Sequence, residues 1–228
     1  MSGNATVVPE ICYPGTTVTR TAVLLTWADV VTGVLCAVRM TPRIAVTLDL
    51  DVHLFRLPHD GVIEAESRIV KAGKSVMVAE AWLRQPGDDT PFGVSHGSFM
   101  ASPNPAHEAP PGFPPSLHAR GRMTVPLAER AQVRHVGPGV AEVPRMPDGQ
   151  NPVGSIQGGL VALSAEEAVR TLDPDAMLTS LTIRYLRPFS TGPAHATATL
   201  EHGLAHVHIR DGGPDGKLGA VVTARTAR

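Results

Sequence analysis

The order of structural signals in this chain repeats itself, and that repeat limits what it can fold into. An apolar helical stretch at 21–40 is followed by RIAVTLDLDVHLFRL at 43–57, whose strict alternation marks a long strand. Val46, Leu48, Leu50, Val52 and Leu54 fall on one side, and Thr47, Asp49, Asp51 and His53 on the other. Three more strand-like segments follow, at 61–71, 75–84 and 92–101, with turns at Gly73 and Pro86-Gly87. The plan then returns: a helix at 157–171, a long strand at 178–187, and strands at 193–201, 204–210 and 218–226. Arg56 falls on Arg187 and Gly73 on Gly203, offsets of 131 and 130 residues. A short strand within 131–143 is expected to open the second half, with its counterpart near 6–13. One helix followed by several antiparallel strands, twice over, is an α+β pattern with an internal duplication.

Three regions follow from that pattern: a first repeat at 1–102, a linker at 103–130 and a second repeat at 131–228. The linker begins PNPAHEAPPGFPP, whose six prolines describe a stiff surface connection. Residues 21–38 carry one charge, Asp29, so this helix is apolar nearly all round and must be enclosed. A long sheet rolled around it would do that. The stretch is about one bilayer thick, but the central acid argues for burial in protein.

Composition excludes several classes of function. Hydrophobic residues make up 43% of the 228, enough for a substantial core. The formal net charge of -1 gives no electrostatic basis for binding nucleic acid or an anionic membrane. Cys12 and Cys36 are too few for a disulfide framework or a metal cluster. The alternating His206 and His208 lack a convincing acid or thiol to complete a ligand set, so no metal is expected. The N-terminal segment has no basic region followed by an apolar one, so the expectation is a cytoplasmic protein without a signal peptide.

The segment NPVGSIQGGLVALSAEEAVRTL, 151–172, carries the chemistry. Two glycines open its helix. Paired glycines at a helix N-terminus let a ligand approach free backbone N–H groups closely. Glu166 lies two turns further on, along the face of Gly159, Ala162 and Leu163, while Glu167 can pair with Arg170 or reach solvent. An acid among apolar neighbours gains basicity. Plainer roles stand beside these: a tight helix entry for the glycines, turn chemistry for Asn151, an ordinary strand threonine at Thr47 and a solvated turn lysine at Lys74.

Asn151, Gly154, Gln157, Gly158, Gly159 and Glu166 together resemble the N-x-x-G-x-x-[H/Q]-G-G…[D/E] motif of hotdog-fold acyl-CoA thioesterases of the phenylacetyl-CoA thioesterase kind. SLTIRYLRP at 180–188 is similar to that family's long strand, and KAGKS at 71–75 to one of its tight turns. The resemblance implies a tandem double hotdog, a pseudo-dimer within one chain. It further implies hydrolysis of an acyl-CoA thioester, with coenzyme A entering only as part of the substrate. On that resemblance Glu166 is base or nucleophile, the Gly158 N–H is the oxyanion donor, Asn151 holds the carbonyl or water, and Thr47 of the first half supplies a hydroxyl to the acid. Gln157, Gly159, Lys74 and Ser75 would contact substrate. Asp29 matches Glu166 in the first half, but Thr21, Pro14 and Leu178 stand where Gly158, Asn151 and Thr47 have their counterparts, so that second site reads as degraded. A homodimer of double hotdogs fits the same picture. The competing reading is a non-catalytic acyl-CoA-binding or ligand-sensing module. The D-x-N-P-x-H loop of the related hydratases is absent.

Overall fold

A computed structural model describes residues 1–109 and 123–227. The first half contains β1 (Ser2–Thr6), α1 (Thr21–Met40), β2 (Ala45–Leu54), β3 (Val62–Ala72), β4 (Val76–Arg84) and β5 (Gly93–Ala101). A short helix, α2 (Leu127–Arg130), then leads into β6 (Arg134–Gly137), β7 (Val140–Val143), α3 (Gly158–Arg170), β8 (Met177–Tyr185), β9 (Ala194–Glu201), β10 (Leu204–Asp211) and β11 (Lys217–Ala227). All eleven strands form one antiparallel sheet in the order β1-β3-β4-β5-β2-β8-β11-β10-β9-β7-β6.

The sheet carries the duplication in its register. The two halves meet where β2 pairs with β8, and there Asp51 lies opposite Thr182. Those two positions are 131 residues apart, the offset of the sequence repeat, so a pseudo-twofold axis passes through the pair. Outward from it the strand orders mirror each other, with β5, β4, β3 and β1 on one side and β11, β10, β9 and β7 on the other. Leu50 and Val52 of β2 and Leu181 and Ile183 of β8 form the buried inner row at this seam. Each such side chain contributes roughly 1.5–3 kcal/mol by leaving water.

Helices α1 and α3 pack against each other inside the sheet's curve. Although α1 is long and apolar enough to cross a membrane, Leu24, Leu25 and Ala28 are at most 1% exposed because sheet and partner helix cover them.

Several expectations are corrected. The first strand is residues 2–6, and 9–11 form a single 3-10 turn. The region 131–143 makes a hairpin of two short strands, β6 and β7, rather than one. Of the linker, 103–109 is tied to the chain before β2 through Ile44 N–H to the His107 carbonyl and Ala109 N–H to the Pro42 carbonyl, and 127–130 is helical. The prolines from 110 onward lie outside the described residues.

One correction bears on the site. Thr47 does not share a face with Asp49. A β-bulge at Leu48 sets Thr47 opposite the buried Phe99 while Asp49 pairs with Ser98, so Thr47 turns inward. The register of β8 shifts at the equivalent place, Thr179, bringing Leu178 inward.

Candidate active site at the helix seam

The pseudo-twofold creates two corners, each joining the N-terminus of one helix to an acid on the other. The first corner is built on α3. Gln157 caps this helix, its side-chain oxygen accepting the Leu160 N–H at 3.2 Å. Within the described residues, the N–H groups of Gly158 and Gly159 meet no acceptor. The contacts explain the two glycines. A Cβ on Gly159 would lie 1.9 Å from Thr26 Oγ1 of α1, and one on Gly158 would lie 2.8 Å from the Tyr185 hydroxyl. Only bare backbone lets the helix end approach α1 and β8 so closely.

One turn past Thr26, α1 presents Asp29. The Thr47 hydroxyl donates to its Oδ1 at 3.2 Å. Burial pushes the Asp29 carboxyl up to about 6, outweighing that hydrogen bond. Beside it, burial and then the Asp29 charge push the Tyr185 phenol well above its usual range, so its hydroxyl stays protonated. That hydroxyl donates to the Gly158 carbonyl at 3.0 Å.

The second corner has the same skeleton at an offset of 137: Glu166 for Asp29, Arg20 for Gln157, Thr21 and Ala22 for Gly158 and Gly159. Here the acid and the helix N–H groups are committed to protein partners. Glu166, fully buried, accepts from the Tyr13 hydroxyl at 2.7 Å, from Arg20 at 3.1 Å and from the Ala22 N–H at 3.2 Å. Burial and the neighbouring Glu166 hold the Tyr13 phenol well above its usual range, so it remains a donor. The Thr21 N–H points at the same hydroxyl, at 3.4 Å. Arg20 also binds Glu167, which His135 Nε2 approaches at 2.7 Å. Burial opposes the charge on Glu167, but Arg20 and His135 outweigh it and hold the carboxyl below its ordinary value.

The two corners therefore differ in occupancy. In the second, Glu166 and Tyr13 fill the helix N-terminus themselves. In the first, the acid is one methylene shorter and is held toward β2 by Thr47, and the two N–H groups are left open to a ligand. An apolar cavity of about 240 Å³ reaches this open end at Gln157 and Gly159. It runs past Val23, Trp27 and Val30 of α1 to Ala5, Ile63 and Leu127.

Residues 21–92, which include Asp29 and Thr47, match the model of the thioesterase superfamily. No curated protein matches this chain by sequence. Among solved structures, it is similar to the 12:0-ACP thioesterase of Umbellularia californica, with 12% identity and a TM-score of 0.70 over 100% of this chain and 96% of that one. An acyl-ACP thioesterase from Bacteroides thetaiotaomicron gives 9% and 0.67, over 100% and 97% of the two chains. The tesB protein of Mycobacterium avium subs paratuberculosis gives 14% and 0.60, over 100% and 93%. At these identities the likeness is one of fold, and it establishes the double hotdog.

The structure regroups the residues singled out in the sequence. Gly158, Gly159, Gln157 and Thr47 come together, but around Asp29 rather than Glu166. The expected pairing of Thr47 with Glu166 is absent because each acid faces the N-terminus of the opposite helix. Glu167 pairs with Arg170 at 3.6 Å as expected, but it does not reach solvent: it is 1% exposed and also bound to Arg20. The Asn151 side-chain oxygen accepts the N–H groups of Val153 and Ser155, which shapes the loop before α3. Lys74 and Ser75 are exposed on the β3–β4 turn and do not line the cavity. Sequence reasoning missed Tyr185, Tyr13 and Arg20. Only Tyr185 left a signal, as the one hydroxyl ending the apolar row Leu181, Ile183 on β8.

Proposed function

We propose that the chain hydrolyses a coenzyme A thioester at the first corner, with Asp29 as the catalytic acid residue and the N–H groups of Gly158 and Gly159 as the oxyanion cradle. The observation that carries this reading is the contrast between the corners: one helix N-terminus is filled by its own protein, the other is open beside a carboxyl of raised pKa and an apolar cavity. As a base, the Asp29 carboxylate takes a proton from water while the hydroxide oxygen bonds to the thioester carbon. The carbonyl oxygen takes up the negative charge next to the two N–H groups. Collapse breaks the C–S bond, and the proton on Asp29 passes to the thiolate, leaving free acid and thiol. As a nucleophile, the same carboxylate would form a mixed anhydride that water then cleaves. Because the charged form acts, hydrolysis rises with pH through about 6 and then levels off.

The apolar cavity fits the acyl group. The same chemistry would serve a thioester of acyl carrier protein, the carrier in the names of the first two structural neighbours, so both carriers are tested. The test is thiol release from short, medium, long and aryl acyl-CoAs, with acyl carrier protein thioesters in parallel. Wild type and Glu166→Gln are expected to hydrolyse a common subset within a few-fold of each other, and Asp29→Asn to lose at least 100-fold. Full activity in Asp29→Asn, with loss in a folded Glu166→Gln, would return the site to Glu166. Tight binding without turnover in wild type would favour a ligand-sensing module.

A further inference from the structure

We infer that Tyr185 is a positioning residue for the oxyanion cradle, acting through the backbone of α3; this rests on the reading of the first corner given above. The peptide unit joining Gly158 to Gly159 is planar and trans, so its carbonyl and its N–H point in opposite directions. The carbonyl belongs to Gly158 and the N–H to Gly159. The Tyr185 hydroxyl donates to that carbonyl at 3.0 Å. Holding one end of a rigid plane fixes the other, so the hydroxyl aims the Gly159 N–H away from β8, into the opening. A hydrogen bond to the carbonyl also polarises the peptide and strengthens its N–H as a donor.

The contact is not one the helix needs for its own sake. A carbonyl in the first turn already serves the N–H four residues along. Nor is it a feature of the fold in general. The pseudo-equivalent of Tyr185 is Leu54, at the same 131-residue offset, and there the matching helix N-terminus is filled by Tyr13 and Glu166. The tyrosine stands only where the cradle is open. Gly158 accommodates it, since a Cβ there would meet the hydroxyl at 2.8 Å.

Tyr185→Phe keeps the ring and removes the hydroxyl. With octanoyl-CoA as probe, kcat is expected to fall at least tenfold while KM stays within twofold, because the cradle acts on charge that exists only in the transition state. With glycine labelled by nitrogen-15, the amide resonance of Gly159 should move in the variant without substrate, as the loss of a hydrogen bond to the carbonyl of the same peptide unit requires. Should Tyr185→Phe keep its kcat, or leave the Gly159 resonance in place, the inference is overturned. Asp29→Asn separates the two levels: if it is inactive while Tyr185→Phe is normal, only the role of Tyr185 fails, whereas an active Asp29→Asn removes the site on which that role depends.

Discussion

Asp29 costs the fold something. Its carboxyl titrates near 6 against an ordinary 3.8, so the folded protein prefers the protonated form. The stability associated with this group is complete below about 3.8 and is lost as the pH rises through about 6. A side-chain amide at this position would never carry the charge. Asp29→Asn is therefore expected to be more stable than wild type at pH 8, by something of the order of 1–2 kcal/mol once partial exposure is allowed for. At pH 4 the difference should nearly vanish. Paired denaturant titrations at the two pH values measure it, and equal curves at pH 8 would contradict the environment assigned to Asp29. A variant that gains stability as it loses activity is the usual mark of a functional acid.

At the scale of elements, the closeness of α1 and α3 makes a sharp demand. Gly159→Ala places a methyl group 1.9 Å from Thr26 Oγ1, so the helices must separate or the hydroxyl must go. A loss of about 2–3 kcal/mol is expected, comparable with overpacking a core. Adding Thr26→Ala should recover part of it, although the Thr26 Cβ, 2.8 Å away, stays. Thermal unfolding of the two single variants and the double one reads this coupling, and strict additivity would show that the contact is not the cause. The same packing explains what could be read from the amino acids. The glycine pair and the two acids stood out as residue types that chemistry at a helix end needs, and Thr47 stood out only through the family resemblance. Their grouping did not. Two elements invisible in one dimension decide it: the antiparallel crossing of the helices, which gives each acid to the other helix, and the bulge at Leu48, which turns Thr47 inward against its alternation. Arg20 and Tyr13 gave no warning, since an arginine and a tyrosine before a helix usually face water.

For the whole molecule, the duplicated order of elements foretold the two α+β repeats almost strand by strand. The errors fell on β1 and on the β6–β7 hairpin, segments of four or five residues where alternation has too few positions to speak. The halves share one buried core across the β2–β8 seam, so they should unfold together. The molecule offers a direct check, because both tryptophans, Trp27 and Trp82, lie in the first half. Tryptophan fluorescence follows that half alone, while far-ultraviolet circular dichroism follows both. Coincident urea transitions are expected, and a fluorescence midpoint apart from the other would mean that the repeats are independent units.

Joining the two halves in one chain has a consequence for how such a protein can change. In a symmetric pair of identical subunits every substitution arrives twice, so a tyrosine that seals one corner would seal both. Here Tyr13, Arg20 and Glu166 sit at one corner only, and the corner holding Asp29, Gly159 and Tyr185 is untouched by them. The molecule can give one corner over to cohesion and leave the other open, a difference that a twofold axis forbids.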